Sequence, residues 1–362
     1  MRSVEAIVLG GGIAGSATAL HLAAAGMETI CIERAESERR ISPGEVLPPG
    51  VRPLLADCGL WEAFQRTAPV ASFGVSVRWG SPEIRDWDYI FSPWGKGWHV
   101  DRQAFEDVLS RGAKDRGVKW MRGKAVGAVR RVGAQWVVDV AGAPEMVAKW
   151  VVFAGGISRT SDPITGERIG HDRLTGLFRY YEYSKDSPAP EPRLYVEAAR
   201  DGWWYMAPLP SNRMIVVHLT DSDLVRGAGL EEVFMQRLRK SGHLTGRLAG
   251  CRPIGGVGLR WAGSSCRRIM GGVQFACVGD AAWTADPLLG RGITKALESA
   301  RTAADAILAS AKGATDATSE YGQRLEAEYA HYLSGLCVEY NREKRWDSPF
   351  WNRRRVFKES TK

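Results

Sequence analysis

Three glycines and one acidic residue near the N-terminus have the types and spacing of a nucleotide-binding site. Gly10, Gly12 and Gly15 form a GxGxxG pattern, and Glu33 follows 18 residues after Gly15. In such a pattern the first glycine permits a tight turn, the second lets backbone approach a pyrophosphate, and the third lets a helix pack closely on a strand. The acid can accept hydrogen bonds from ribose hydroxyls and would repel a 2′-phosphate. The pattern predicts a dinucleotide site, without separating FAD from NAD.

The elements around this motif are those that would position it. Residues 4–9 form a short apolar run, typical of a buried strand, and the helical stretch "SATALHLAAAG" ends at Gly26. A second strand, "METICIE", ends at Glu33. The helix N-terminus would offer unpaired N–H groups and partial positive charge to the phosphates. The alternative is a glycine turn between packed elements that binds nothing.

A second glycine-bearing stretch, "GDAAWTADPLLGRGI", occupies residues 279–293 and precedes the helical run "ITKALESARTAADAIL". Its glycines allow backbone to approach a ligand without collision from side chains. The stretch resembles the FAD-dependent monooxygenases related to p-hydroxybenzoate hydroxylase, together with their halogenase branch. The alternative is a simple connector to an amphipathic helix.

The resemblance implies roles for several residues of this stretch. The Gly279-Asp280 pair would hold the ribityl chain through the acid, and the backbone at Pro287, Gly290 and Gly292 would lie against the isoalloxazine ring. The following helix would direct its positive end towards the flavin N1–C2=O region, where reduced flavin carries negative charge. Further FAD contacts that the resemblance implies are Ala14, Arg34, Glu45 and Val126.

Two more segments agree with the resemblance. "WHVDRQAFEDVLSRGAKDRGV" contains Arg102, which would contact the ribityl and phosphate region; alternatively it pairs with Glu106 at (i, i+4). In "WVVFAGGISRTSD", Ala154 stands where hydroxylases of this superfamily often have an acid associated with NADPH binding. This departure argues against direct docking of NAD(P)H. The flavin is expected to be reduced either by NAD(P)H directly or through a separate flavin reductase.

Other positions concern the substrate. "DGWWYMAPLP" resembles the halogenase-branch signature Trp-x-Trp-x-Ile-Pro, with Trp203 matching and Tyr205 departing. We expect Trp203, Tyr205 and Trp283 to be walls of a substrate pocket, with core packing as the alternative for each. Flavin-dependent halogenases use a lysine, and Ser76 stands where it would fall, so oxygenation is favoured. His218 would be either a substrate base or a buried strand histidine.

Four stretches, "GEVLPP", "GWWYMAPLP", "DPLLGRGI" and the C-terminal "RWDSPFWNRRR", together resemble the flavoproteins that modify protein-bound tryptophan during maturation of tryptophylquinone cofactors. The resemblance implies a monooxygenase in which a flavin C4a-hydroperoxide, formed from O2, hydroxylates an electron-rich ring, namely tryptophan in a protein or peptide. The alternatives are a flavin-dependent halogenase, an FAD-dependent reductase or dehydrogenase of the geranylgeranyl-reductase kind, and a non-catalytic flavin-binding scaffold. No set of acid–base residues stands out, so the flavin is expected to carry the chemistry.

The expected fold class is α/β, with an interrupted Rossmann-type FAD-binding domain. Residues 1–75, 98–162 and 264–315 would build this domain. Residues 76–97 and 163–263 would form a mostly antiparallel substrate domain, and residues 316–362 a C-terminal helix with a basic tail.

Composition limits the remaining classes. The net charge of +8 comes from dispersed basic residues, apart from a C-terminal cluster (Arg342, Lys344, Arg345, Arg353, Arg354 and Arg355), so neither a nucleic-acid nor a membrane partner is expected. That cluster is expected to be solvated on a terminal helix, or to meet an acidic partner. Six scattered cysteines and six isolated histidines predict reduced thiols, no metal site and a cytoplasmic protein.

Overall fold

The computed structural model describes residues 2–36, 43, 46–157, 164–184, 190–227 and 229–355. In chain order the strands are β1 (Arg2–Leu9), β2 (Thr29–Glu33), β3 (Val46–Leu47), β4 (Val70–Ser72), β5 (Gly74–Arg78), β6 (Arg85–Asp88), β7 (Gly97–His99), β8 (Lys119–Arg122), β9 (Val126–Val132), β10 (Gln135–Val140), β11 (Met146–Phe153), β12 (Arg168–Gly170), β13 (Leu174–Tyr183), β14 (Leu194–Ala199), β15 (Gly202–Leu209), β16 (Arg213–Asp221), β17 (Cys251–Trp261), β18 (Ser265–Arg267), β19 (Gly271–Gly272), β20 (Phe275–Cys277) and β21 (Trp283–Thr284). The helices are α1 (Ile13–Ala24), α2 (Val51–Asp57), α3 (Trp61–Gln65), α4 (Arg102–Asp115), α5 (Leu230–Arg239), α6 (Gly242–Arg247), α7 (Gly292–Ala311), α8 (Ala317–Arg342) and α9 (Pro349–Arg355).

The first sheet is the nucleotide-binding sheet that the sequence predicts. Its strand order is β19-β20-β11-β1-β2-β8, with β10 paired to β11 and β9 paired to β10. β1 runs parallel to both β2 and β11, so that Leu9 lies beside Ile32 on one side and Phe153 on the other. α1 connects β1 to β2 and packs against α4 and α7. The small side chains of α1 allow this contact, because nearly the whole helix is buried.

The second sheet has seven strands in the order β17-β13-β16-β15-β14-β5-β6. All of its pairings are antiparallel except the one between β14 and β5. Every residue of β15 is buried, because both faces of the sheet are covered. Trp203 and Tyr205 belong to the core shared with the first sheet, whereas Trp204 and Met206 pack with Phe234 of α5. The predicted α/β class, with a nucleotide sheet and a mostly antiparallel sheet, is confirmed.

The C-terminal helices are integrated into the fold. α8 packs on α7 and on the β19–β20 edge of the first sheet. α9 is fixed to the second sheet, where Trp351 Nε1 donates to the Ala199 carbonyl at 2.9 Å. Arg354 is buried and its guanidinium lies 2.7 Å from Asp221, which Arg353 also contacts at 2.8 Å. The expectation of a solvated basic cluster is therefore wrong at Arg354, whereas Arg353 is exposed and forms ion pairs with Asp221 and Asp223.

None of the helices that the described ranges contain combines the length and apolar character needed to cross a bilayer.

Candidate FAD and substrate site

A cavity of about 1150 Å³ lies between the two sheets and joins both glycine-bearing turns. Its walls include thirteen of the residues that the sequence singles out: Gly10, Gly12, Ala14, Glu33, Arg34, Arg102, Val126, Trp203, Tyr205, Asp280, Pro287, Gly290 and Gly292. Gly15, Gly279 and Trp283 are not among the lining residues. Glu45 lies outside the described residues.

The first turn needs glycine for two different reasons. Gly10 has φ +115°, and a Cβ there would lie 2.4 Å from the Ala154 carbonyl oxygen. A Cβ on Gly15 would lie 1.9 Å from the Gly10 carbonyl oxygen, so this glycine serves packing behind the cavity wall. A Cβ on Gly12 would meet no atom within 4 Å among the described residues. Gly12 is the N-cap of α1 and provides no side-chain cap, so the first N–H groups of the helix are suited to bind phosphate.

The carboxylate of Glu33 is already engaged by the backbone. Its two oxygens accept hydrogen bonds from Gly11 N–H at 2.7 Å and Ala35 N–H at 2.8 Å. The residue therefore fixes the first turn as well as lining the cavity. Each carboxylate oxygen can accept more than one hydrogen bond, so the predicted contact with ribose hydroxyls remains compatible with this geometry.

Cations surround the same end of the cavity. Arg34, Arg122 and Lys124 line it, and Arg122 stacks over Trp120 at 4.7 Å from the ring centroid. Arg102 also lines the cavity while its Nε lies 2.7 Å from Glu106, the pairing that the sequence offered as an alternative. The cavity thus contains four basic side chains and an uncapped helix N-terminus, and both suit the negative charge of a pyrophosphate.

The second turn brings an acid to the other end of the cavity. Asp280 lines the wall with its side chain about half exposed, and its Oδ1 lies 2.9 Å from Lys295 Nζ. A Cβ on Gly290 or Gly292 would find no atom within 4 Å in the described part of the chain. Gly290 has φ +61° and ends the short helical turn that Pro287 begins. The two glycines leave space for a flat ligand to approach the backbone.

The roof of the cavity comes from the second sheet and is mostly apolar. Its lining side chains are Leu194, Val196, Trp203, Tyr205, Val217, Leu219, Arg260 and Trp261. Trp203 and Tyr205 have ring centroids 6.2 Å apart. The Trp203 indole is fixed from behind, because its Nε1 donates to the Tyr340 hydroxyl at 3.0 Å. Such a surface can hold an aromatic ring and exclude water.

Two residues proposed for substrate contact lie elsewhere. Trp283 is 3% exposed and packs against Tyr329 and Tyr332, with centroids 5.4 and 5.1 Å away, behind the second turn. His218 faces the opposite side of the second sheet, where it stacks on Trp204 at 4.3 Å and meets Arg237. Burial lowers the pKa of His218 well below its usual value. It is a buried strand histidine, and its candidacy as a substrate base is wrong.

Lysines are sparse around the cavity. Of the lysines that the structure describes, Lys124 alone lines it, at the Glu33 end rather than under the roof. Ser76 is buried and donates its hydroxyl to Asp86 at 2.7 Å, outside the cavity. Lys96 is exposed and does not line the cavity.

Sequence reasoning missed the two cations that hold the second turn. Lys295 in the first turn of α7 contacts the Asp280 side chain, and Arg168 of β12 donates to the backbone carbonyls of Asp280 and Ala281 at 2.8 and 2.7 Å. A lysine among small buried residues of an amphipathic helix was the available signal for Lys295. Arg168 lies 112 residues from Asp280 in the sequence, and its spacing gives no signal.

The comparisons with known proteins agree with this geometry. The model of a family described as "FAD binding domain" matches residues 3–323. The chain belongs to this family. It is an FAD-dependent oxidoreductase, and the site described above suits FAD because it joins a phosphate-binding helix terminus to a glycine-lined flat surface. The predicted kinship with FAD-dependent monooxygenases and their halogenase branch is confirmed.

Individual relatives cover nearly the whole chain. LodB of Marinomonas mediterranea, named as an FAD-dependent oxidoreductase, is 29% identical over 99% of this chain and 98% of LodB. The myxobacterial chondrochloren halogenase CndH has a TM-score of 0.90 at 26% identity, covering 99% of this chain and 87% of CndH. The peptidyl tryptophan dihydroxylase QhpG, essential for tryptophylquinone cofactor biogenesis, has a TM-score of 0.79 at 25% identity, covering 100% and 80%. The protein is therefore similar to FAD-dependent enzymes that modify aromatic compounds.

Proposed function

We propose that the protein is an FAD-dependent monooxygenase that hydroxylates an electron-rich aromatic ring, with tryptophan in a protein or peptide as its target. The observation that carries the proposal is the roof of the cavity. Apart from Arg260 of β17, its lining side chains are apolar or aromatic, and no lysine of the described residues lies there. Hydroxylation needs a dry surface that orients the ring, whereas halogenation by this superfamily uses a lysine between flavin and substrate.

The chain's own residues would perform three tasks. Reduced FAD, when bound, supplies the activation of O2. Pro287, Gly290 and Gly292 would let the backbone lie against the flavin ring, and the aliphatic roof residues would exclude water. Trp203, locked by its hydrogen bond to Tyr340, would orient the target ring so that reacting atoms meet at roughly 3–3.5 Å.

A macromolecular target is supported by an exposed apolar segment on β6 and the turn that follows it. Trp87, Ile90 and Phe91 are 63%, 80% and 91% exposed, and Phe73 lies opposite on the neighbouring chain segment, where its carbonyl accepts from Tyr89 N–H. Exposed apolar groups in such number are typical of protein-binding surfaces. β6 is an edge strand of the sheet that forms the cavity roof. We infer that a polypeptide carrying the target tryptophan docks here, by analogy with the peptidyl tryptophan dihydroxylase QhpG.

Halogenation is the second candidate, favoured by the TM-score of 0.90 to CndH. A reductase of the geranylgeranyl-reductase kind would incorporate no oxygen at all. The test is to incubate the FAD-loaded protein, a reductant and chloride with Trp-containing polypeptides encoded beside it, under isotopically heavy O2. The proposal predicts that the mass of the product increases by the mass of the heavy oxygen taken up from O2. Replacement of hydrogen by chlorine, or turnover without label, would contradict it.

Electron supply is part of the same proposal. Because Ala154 carries no acid for NADPH binding, we infer that a separate flavin reductase delivers reduced flavin. Rapid reduction of the bound FAD by NADH or NADPH alone would contradict this inference.

A further inference from the structure

The buried ammonium group of Lys295 contacts one short segment of the chain. Its side chain is only 4% exposed, and Nζ lies 2.9 Å from Asp280 Oδ1. Nζ also donates to the Trp283 carbonyl and lies 4.4 Å from the Trp283 ring centroid. An unpaired ammonium buried to this extent would cost several kcal/mol, so these contacts must compensate it. Burial lowers the pKa of Lys295, and the Asp280 carboxylate opposes that lowering.

Asp280 stands between this lysine and the cavity. Lys295 takes one carboxylate oxygen, while the half-exposed side chain still lines the cavity wall. Arg168 binds the backbone carbonyls of Asp280 and Ala281 from β12. Two cations from separate elements therefore hold this turn, one through its backbone and one through the acidic side chain.

We propose that Lys295 is a positioning residue for FAD, which holds the Asp280 carboxylate in one orientation towards the hydroxyls of the ribityl chain. The inference rests on the placement of the ribityl chain at Asp280. Without the lysine, the half-exposed carboxylate could adopt other rotamers, and FAD binding would have to order it. Lys295 also lies in the first turn of α7, the helix end that the family resemblance directs towards the flavin, so its ammonium would add positive charge on that side of reduced flavin.

The test is a double-mutant cycle with Lys295→Met and Asp280→Asn, read as the FAD dissociation constant of the apoprotein. Each single substitution should weaken binding roughly 10- to 100-fold, the range of a hydrogen bond to a charged group. The double variant should bind no more weakly than Asp280→Asn alone, because Lys295 acts through Asp280. Lys312→Met, at the exposed C-terminal end of the same helix, is the matched control and should leave affinity unchanged.

A second readout separates positioning from packing. Lys295→Gln keeps a side chain of similar length with an N–H donor but removes the positive charge. It can therefore be used in the cycle if Lys295→Met does not fold. In Lys295→Gln the reduction potential of bound FAD should fall, because a buried positive charge is lost. Unchanged affinity and potential in the Lys295 variants, or additive losses in the double variant, would overturn the inference. Unchanged affinity in Asp280→Asn would instead show that the ribityl chain lies elsewhere.

Discussion

The Tyr340 hydroxyl lies 2.6 Å from Asp286 Oδ2 and donates a hydrogen bond to it. The same hydroxyl accepts the Trp203 indole N–H, so a cavity wall is tied through α8 to the acid that precedes Pro287. Leu288 N–H donates to the other oxygen of Asp286 at 2.9 Å. The second turn is thus connected to the roof through one buried carboxyl group.

This relationship makes stability depend on pH. Burial, reinforced by the Asp172 carboxylate, raises the pKa of Asp286 to about 7. An unfolded aspartate titrates near pH 3.9, so the folded state holds this proton more tightly. The stabilisation is complete below about pH 4 and is lost as pH rises through about 7. Asp286→Asn removes this titration, so urea unfolding of the variant should lose less stability than the natural protein between about pH 5 and pH 8. Parallel pH profiles would contradict the assignment.

Trp203 and Trp204 provide a matched pair on β15. Trp203→Phe removes the hydrogen bond to Tyr340 and should cost about 1 kcal/mol more than its lost packing, measured by denaturant unfolding. It should also raise the KM for the aromatic substrate. Trp204 faces the opposite side of the sheet, and its Nε1 has no partner among the described residues. Trp204→Phe should therefore leave KM unchanged; an equal rise in both variants would contradict the assignment of Trp203 to the cavity wall.

Gly12→Trp should abolish FAD retention, because the new side chain would fill the open space that we assign to the pyrophosphate. The measurement is the flavin content of the purified protein, with thermal unfolding as a check on folding. Gly335→Trp is the control, since Gly335 lies exposed on α8 with no described atom within 4 Å of its Cβ position. A yellow Gly12→Trp protein with full flavin content would refute the assignment.

Glu33→Ala should weaken FAD binding by about 1.5–3 kcal/mol, because it removes the acceptor of two backbone N–H groups and the acceptor that we propose for the ribose hydroxyls. Titration of the apoprotein with FAD measures this loss. Glu5 is the control on the same sheet. Its carboxylate accepts a hydrogen bond of 2.7 Å from Glu28 N–H, and it does not line the cavity. Glu5→Ala should leave FAD affinity as it was, and an equal effect of the two substitutions would point to general destabilisation.

The exposed apolar segment should matter for a large substrate only. Replacing both Trp87 and Phe91 by serine should raise the KM for a Trp-bearing protein several-fold, while that for a short Trp peptide stays constant. Val338, which is 56% exposed on α8, offers a control substitution to serine. If the protein substrate keeps its KM in the double variant, docking occurs on another surface.

The local motifs were predictable because each lies within one strand–turn–helix unit. Gly10, Gly12 and Asp280 could be placed from neighbouring residues alone, and the cavity contains all three. The faces of β15 and β16 were harder to predict, because both sides of the sheet are buried and the usual polar–apolar alternation is absent. This is why His218 was considered for the site although only its neighbours in β16 line the cavity.

Contacts between residues far apart in the sequence could not be predicted. Trp283 belongs to a loop whose neighbouring residues line the cavity, but its own ring is buried against Tyr329 and Tyr332 of α8. The burial of Arg354 likewise depends on Asp221, 133 residues away in the sequence. Such pairings arise from packing between elements and leave no local pattern.

The central claim is that one FAD molecule contacts both glycine-bearing turns. A crystal structure of the FAD-loaded protein tests it most directly. Density for one flavin should place its phosphates at the start of α1 and its tricyclic ring beside the backbone of residues 287–292. Density that leaves this space empty, or that shows FAD bound on another surface, would contradict the account.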